Sequence, residues 1–294
     1  MTTIGIVSPG AMGSGLGRCW QAGGHRVVAT VEGRSPRTRA LAEGLELLAS
    51  LDDVIAASDL VVSVCPPGQA ETVLDTILDA ASRTGSAPLI TDANALSPGL
   101  VRLLAARADA TGCEFVDAAI SGGPPPGPSG STMVYLSGPG ASRVAELPVE
   151  GFRTQVVGPG VGTASAVKMC TASVYKGTHA LWLQALETAA TLGVTDLVLT
   201  DLAGEFPQLA AGAARSIATA ASKSARFVAE MEQISATQGE AGASPELFAG
   251  VAAVYRRVAV TELAALTPEH AREEADLRSV LRRLAPQAGA DHGR

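Results

Sequence analysis

The chain has 294 residues, 47% of them hydrophobic, 17% charged and only 3% aromatic, which suits one large or two ordinary domains with aliphatic cores. A net charge of -7 gives no basic footprint for nucleic acid or an anionic membrane surface, and no apolar run reaches spanning length. The four cysteines, Cys19, Cys65, Cys113 and Cys170, form no C-x-x-C pair and the four histidines no cluster, so no metal site is expected and the thiols read as small buried hydrophobes.

In chain order, "MTTIGIV" runs straight into a strand without a charged leader, which points to a cytoplasmic protein. "TIGIVS", "HRVVATV", "DLVVSVC", "PLITDA", "EFVDAAI" and "TMVYLSG" are short, Val/Ile-rich and bounded by Gly, Pro or Asp. Between them lie stretches of helical length such as "MGSGLGRCWQAG" and "GQAETVLDTILDAASRTG". This alternation predicts a parallel sheet covered on both faces. From "GTASAVKMCTASVYKGTHALWLQALETAATLG" onward the pattern is helical, through "FVAEMEQISATQ" and "PELFAGVAAVYRRVAVTELAAL"; "HAREEADLRSVLRRL" reads as a solvated helical face. The predicted domains are 1–160, an α/β dinucleotide-binding domain of the doubly wound type, and 161–284, all-helical, with 285–294 a flexible tail.

"IGIVSPGAMGSGLG" carries the fingerprint of a dinucleotide-binding turn, G-x-G-x-x-G, with Ser8 in place of the first glycine. Gly10 permits close approach of backbone to the pyrophosphate, and Gly13 permits tight packing of helix on strand. Serine is tolerated at the first position if its φ is negative, and its hydroxyl can donate to a phosphate. A P-loop is excluded because Ala11 and Met12 stand where Lys and Ser/Thr are needed. After the second strand, Glu32 offers an acceptor to a ribose 2′-hydroxyl, whereas Arg34, Ser35, Arg37 and Arg39 form a pocket for a 2′-phosphate. NADP(H) is therefore expected over NAD(H), which Glu32 keeps as the alternative.

With these residues in place, the chain resembles the β-hydroxyacid dehydrogenase family, relatives of 3-hydroxyisobutyrate and 6-phosphogluconate dehydrogenases. The landmarks are "GAMG" (Gly10 to Gly13), "DANALSP" (Asp92 to Pro98), "DAAISGGPP" (Asp117 to Pro125) with "GSTMVYLSG" after it, and "GVGTASAVKMC" (Gly160 to Cys170). "MCTASVYKGTHALWL" and "EMEQISAT" are similar to a poorly characterised branch of predicted oxidoreductases. The resemblance implies a Rossmann-type sheet followed by a helical domain, hydride transfer to or from a small hydroxy or oxo acid, and Lys168 as general acid/base. It implies a substrate carboxylate at Ser121, Gly122 and Gly123, and Asn94 within reach of substrate or nicotinamide ribose. The expected cofactor set is Ser8, Pro9, Gly10, Ala11, Met12, Gly13, Glu32, Arg34, Ser35, Arg37, Cys65, Pro66 and Asn94.

Two departures stand on the helix after Lys168. The family's substrate-binding asparagine is Ala172, and Tyr175 stands where the 6-phosphogluconate enzymes have a glutamate acid. On a helix Lys168, Tyr175 and His179 project within about 40° of one another, so Tyr175 is expected to assist catalysis and His179 to bind substrate. Asp92 and Asp117 end strands and read as loop-anchoring carboxylates. "EMEQ" (Glu230 to Gln233) replaces the family's late Lys-Asp. Reduction of C=N rather than C=O, a non-catalytic dinucleotide sensor and an S-adenosylmethionine methyltransferase are the alternatives; the all-helical second half fits the last poorly. An Ala/Leu-rich helical half suggests a homodimer with its active site in the interdomain cleft.

Overall fold

The computed structural model describes residues 1–125 and 132–284, in two compact units, Met1–Cys170 and Thr171 onward. The stretch 126–131 of the Gly/Pro loop and the expected tail 285–294 lie outside the described residues.

The first unit is built on one sheet of eight strands. They are β1 (Thr3–Val7), β2 (Arg26–Ala29), β3 (Glu46–Leu47), β4 (Leu60–Ser63), β5 (Leu89–Asp92), β6 (Phe115–Ser121), β7 (Met133–Ser137) and β8 (Arg153–Gly158). Their spatial order is β3-β2-β1-β4-β5-β6-β7-β8, so the order reverses at β1/β4, where open α/β sheets bind ligands. β1 to β6 pair parallel, but β7 pairs antiparallel with β6, and β8 parallel with β7. The expected parallel sheet is thus found in β1 to β6, with one antiparallel pairing, β6 with β7, toward one edge. The β6–β7 connection, residues 122–132, is too short for a helical crossover. Sequence reading also missed β8, because "RTQVVG" leaves its side chains exposed or half-exposed and lacks the continuous apolar run of a central strand.

Alternation along the strands sends side chains to two cores. Ile4, Ile6, Leu60, Val62, Val116 and Ala118 face one side, while Val7, Val61, Ile90 and Phe115 face the other. Six helices connect the strands: α1 (Ala11–Ala22), α2 (Pro36–Leu41), α3 (Leu51–Ala57), α4 (Ala70–Thr84), α5 (Pro98–Ala110) and α6 (Ala141–Ala145). α1 and α6 cover the first face with Leu16, Trp20 and Val144, and α3, α4 and α5 the second with Ile55, Leu74, Ile77 and Leu104. Burial on both faces is what made these strands legible as near-continuous apolar runs.

α7 (Thr163–Thr191) passes from the first unit into the second. The second unit adds α8 (Thr195–Glu205), α9 (Pro207–Ala211), α10 (Ala213–Ala221), α11 (Ser224–Glu240), α12 (Glu246–Val258), α13 (Pro268–Glu273) and α14 (Leu277–Leu284). Its core gathers Leu183 and Leu186 of α7, Ile217 and Ala218 of α10, Val258 of α12 and Ala271 of α13. Val280, Leu281 and Leu284 of α14 join it, which corrects the reading of that segment as a solvated face: its apolar residues recur at helical spacing among arginines and were masked by them. α11 and α12 are pinned by an edge-on contact of Phe227 with Tyr255 at 5.3 Å. The fully buried Tyr255 hydroxyl donates to the Lys176 carbonyl at 2.7 Å. No helix among the described residues is long and apolar enough to cross a membrane.

No disulfide joins the cysteines among the described residues, and only Cys19 and Cys113 are buried. Cys65 is half-buried, and Cys170 is exposed rather than packed.

Candidate functional site

The carboxyl ends of β1, β4, β5 and β6 lie along one edge of the parallel sheet, and nearly all the expected first-unit residues stand on the loops that leave it. After β1 the chain turns sharply: the Gly10 N–H donates to the Ser8 carbonyl at 2.8 Å, and Ser14 Oγ to the Pro9 carbonyl at 2.6 Å. Gly10 caps α1 without any side-chain hydrogen bond, which leaves the first-turn amides of a twelve-residue helix to an anion. A Cβ added at Gly10 meets nothing within 4 Å, so backbone can approach a ligand there. At Gly13 a Cβ would stand 2.7 Å from the Ser8 carbonyl oxygen and 3.1 Å from Ile6 Cγ2. Gly13 is therefore obligatory for packing, as its place in the fingerprint suggested.

Ser8 overturns the expectation of a negative φ. Its φ is +68°, the only positive value at a non-glycine position among the described residues. Its Oγ is buried with no hydrogen-bond partner among them. The turn needs the left-handed backbone that the usual glycine supplies, and serine holds it at a cost of about 1–3 kcal/mol. These residues fit a dinucleotide pyrophosphate: a clear approach at Gly10, uncapped helix amides and an unsatisfied hydroxyl converge on one turn.

The loop after β2 places Glu32, Ser35, Arg37 and Arg39 at the surface and Arg34 half-buried. Two of the expected phosphate ligands have local duties. Ser35 Oγ caps α2 by accepting from the Thr38 N–H at 3.2 Å, and Arg39 Nε donates to the Arg34 carbonyl at 3.2 Å. Among the described residues no such bond engages the guanidinium groups of Arg34 and Arg37. Arg34 also acts electrostatically on Cys65, at the end of β4. Burial, helped by the charge of Asp92, pushes the Cys65 thiol up to about 11, so it is a neutral lining group and no nucleophile. Pro66 beside it is exposed.

Across the sheet, Ser63 of β4 is in register with Asp92 of β5, Asp92 with Asp117 of β6, and Asp117 with Ser137 of β7. All four are buried. Asn94 serves the first half of this row. Its Oδ1 accepts from the Cys65 N–H at 2.6 Å, and its Nδ2 donates to Asp92 at 2.8 Å and Ser63 at 3.2 Å. Asn94 is 3% exposed, so its side chain binds two loops together rather than reaching outward. Burial pushes the Asp92 carboxyl up to about 7 despite two hydrogen bonds from Asn94, with Asp117 adding like charge.

The second half of the row starts α7. Asp117 accepts from the Gly162 N–H at 2.9 Å, the Ser165 N–H at 3.0 Å, Ser165 Oγ at 2.7 Å and Ser137 Oγ at 2.9 Å. Ser137 Oγ in turn accepts from the Ala164 N–H at 3.0 Å. A turn later, Lys168 Nζ donates to the Ile120 carbonyl at 2.6 Å. The ammonium is thus held at the residue before Ser121, Gly122 and Gly123. Gly122 has φ +119°, a conformation closed to other residues, and the Gly123 carbonyl is held by Thr132 Oγ1 at 2.8 Å. Sequence reading anticipated anchoring roles for Asp92 and Asp117. It missed Ser137 and Ser165, whose only signal was a serine three residues before Lys168.

In the second unit Ala172 is buried and Tyr175 is 69% exposed. His179 is half-buried, and burial together with the positive charges of Lys223 and Lys176 holds its imidazole below the ordinary range. Glu230 of "EMEQ" is buried and paired with Lys176.

A model described as the NAD binding domain of 6-phosphogluconate dehydrogenase matches residues 3–147, and a domain of unknown function (DUF1932) matches residues 189–258. A probable 3-hydroxyisobutyrate dehydrogenase of Mycobacterium tuberculosis is 27% identical over 205 residues, 69% of each chain. Among solved structures, a 3-hydroxyisobutyrate dehydrogenase of Mycobacterium tuberculosis with L-serine is similar with a TM-score of 0.68 at 19% identity, over 97% of this chain and 100% of that one. An imine reductase variant of Myxococcus stipitatus in complex with NAD+ is similar with a TM-score of 0.56 at 21% identity, over 97% and 99%. At these identities the two structures speak for the fold alone. Fold, turn and matched domain together define an NAD(P)-dependent oxidoreductase. More narrowly, the match of residues 3–147 and the likeness to 3-hydroxyisobutyrate dehydrogenases support a member of the β-hydroxyacid dehydrogenase family.

Ser8→Gly is expected to raise stability by about 1–2 kcal/mol, since relief of strain and of an unpaired hydroxyl outweighs the added chain entropy. Urea unfolding of the cofactor-free protein measures this, and a loss of stability would contradict the strain. Asp92 yields a pH dependence. An unfolded aspartate titrates near 3.9 and the native one at about 7, so the native state binds the extra proton between those values. Its contribution to stability therefore falls as pH rises from about 4 to 7, by at most about 1.4 kcal/mol per unit, and is level above. Urea midpoints at pH 5 to 8 should fall more steeply for the wild type than for Asp92→Asn; parallel profiles would show an ordinary carboxylate.

Proposed function

We propose that this chain is an NADP-dependent oxidoreductase that moves a hydride between the nicotinamide and a small hydroxy or oxo acid, with Lys168 as general acid/base. The observation that carries the reading is the 2.6 Å bond from Lys168 Nζ to the Ile120 carbonyl, which holds a lysine beside a Ser-Gly-Gly strand end. The bound nicotinamide supplies or accepts the hydride. In the reducing direction Lys168 gives a proton to the substrate oxygen; in the oxidising direction it takes that proton. The Ser121 hydroxyl and the amides of Gly122 and Gly123 receive the substrate carboxylate. Pro9, Ala11 and Met12 shape the pyrophosphate turn with Gly10 and Gly13, and Ser8 Oγ donates to the pyrophosphate.

Arg34 and Arg37 hold the 2′-phosphate, since Ser35 and Arg39 are tied locally; Glu32 favours NAD instead. Asn94 acts as a positioning residue, fixing Cys65 and Asp92 at the lip of the site. Tyr175, seven residues beyond Lys168 on the same helix, assists or orients the substrate, and its exposure leaves the phenol available for that. Exposed Leu192, Leu197 and Phe206 of the second unit support a homodimer. A second reading, reduction of C=N, is supported by Ala172, which offers no hydrogen bond where the family's asparagine holds an oxygenated substrate.

Lys168→Ala should lower turnover of the best oxo acid by about 10²–10⁴ and leave the calorimetric NADPH affinity unchanged. Undiminished turnover would remove Lys168 from the chemistry, and imines screened in the same assay decide between the two bonds. Arg34→Ala should weaken NADPH about tenfold, some 1.4 kcal/mol, and leave NADH unaffected. Equal NADPH affinity in the variant would overturn the cofactor preference.

A further inference from the structure

The second unit gathers basic side chains that the hydride chemistry does not require. On α7, Lys176 and His179 are three residues apart and share a face. On α11, Arg226, Phe227 and Glu230 share another, with Lys223 at the helix N-cap. These faces are tied together: Lys176 pairs with Glu230, and its Nζ lies 4.6 Å from the Phe227 ring centroid. Arg226 Nε is 3.2 Å from Glu230, and its Cζ is 5.7 Å from the same ring. Glu230, 7% exposed, thus divides one negative charge between two cations.

Lys223 is the exception in this group. It is half-buried and makes no ion pair or side-chain hydrogen bond among the described residues. Arg226 and Arg272 of α13 press on it with like charge, and Glu269 of α13 opposes them. Four permanent cations therefore face two carboxylates here, with the imidazole of His179 beside them. Half-burial and like charge both disfavour an ammonium there, and a bound anion would relieve both.

We propose that Lys223, Arg226 and His179 form a binding site for the oxyanion group, phosphate or carboxylate, of a small-molecule ligand. Arg226 supplies a planar fork of donors and Lys223 a point charge. His179 adds a donor from either ring tautomer and a further one when protonated. The Lys176–Glu230 pair seated on Phe227 holds the two helix faces in place. A bound anion reverses the local field, so it draws a proton onto His179. The site is built by the second unit alone and does not depend on the hydride reading.

The test is calorimetric titration of the cofactor-free full chain at low ionic strength with inorganic phosphate and, separately, citrate. NADPH titration and the His179 NMR titration run alongside. The expected result is saturable binding of at least one anion, weakened tenfold or more by Lys223→Ala and unchanged by Arg256→Ala, a control that loses only an exposed pair with Glu232. The His179 midpoint should rise on saturation in the wild type. Lys223→Ala removes like-charge repulsion, so it should melt no lower than the wild type. Binding of citrate alone assigns the site to carboxylates, and of phosphate alone to phosphoryl groups. Absence of saturable binding, or equal affinity in Lys223→Ala, overturns the proposal. Intact NADPH binding in that case leaves the oxidoreductase reading untouched, and loss of NADPH binding with anion binding intact would do the reverse.

Discussion

The site depends on one buried carboxylate. Asp117, 1% exposed, accepts four hydrogen bonds from Ser137, Gly162 and Ser165, and two of those donors are backbone amides at the start of α7. The cost of taking a carboxylate out of water is offset by these donors and by the positive end of the helix dipole. Ile120 lies three residues after Asp117 on β6, and Lys168 lies three residues after Ser165 on α7. Both partners of the 2.6 Å contact between Lys168 and Ile120 therefore hang from the same anchor, one along a strand and one along a helix. Few independent motions remain that could separate the lysine from the Ser-Gly-Gly strand end, which is the pre-organisation that the proposed proton transfer needs.

The parts of the fold legible in the sequence were those in which one physical requirement dominates. Strands buried on both faces must be apolar throughout, so β1, β4, β5 and β6 stood out. Gly13 had to be glycine because a Cβ would meet the Ser8 carbonyl at 2.7 Å, and the fingerprint records that contact as a spacing. Lys168 could be singled out at the start of a helix because the landmarks around it stand in family order; its contact with the end of β6 came only with the fold. What escaped was set by tertiary context. β8 is an exposed edge strand, α14 hides its apolar stripe among arginines, and the antiparallel turn into β7 follows from the length of a connection rather than from the strand itself.

Ser8 and Asn94 escaped for a different reason: residue type alone does not say which way a group is used. Serine suits a negative φ, yet the turn imposes +68°, because the fold fixes the path of the backbone and the side chain must accept it. Asparagine offers donors and an acceptor to any ligand, yet Asn94 gives them to Cys65, Ser63 and Asp92. The buried row of Ser63, Asp92, Asp117 and Ser137 becomes visible only once register aligns residues far apart in the chain. Asp92 and Asp117 are adjacent in that row, and the molecule accommodates two neighbouring carboxyls by giving Asp117 the better donors and leaving Asp92 titrating at about 7.

Energetic costs are not spread evenly over this protein. Among the described residues, a left-handed serine with an unpaired hydroxyl sits at the turn after β1, a near-neutral aspartic acid at the strand ends, and a lysine pressed by two arginines, without an ion pair, on the helical unit. Elsewhere a number of charged side chains form exposed ion pairs such as Arg26 with Glu46 and Arg83 with Asp52, worth little and costing little. Cores are aliphatic and closely packed on both faces of the sheet. Although they are not alone, since the buried His25 Nε2 and Thr91 Oγ1 also lack partners among the described residues, each of those three costs could be removed by one substitution. The first two flank the dinucleotide turn and the strand ends beside it, and that coincidence gives the third its weight.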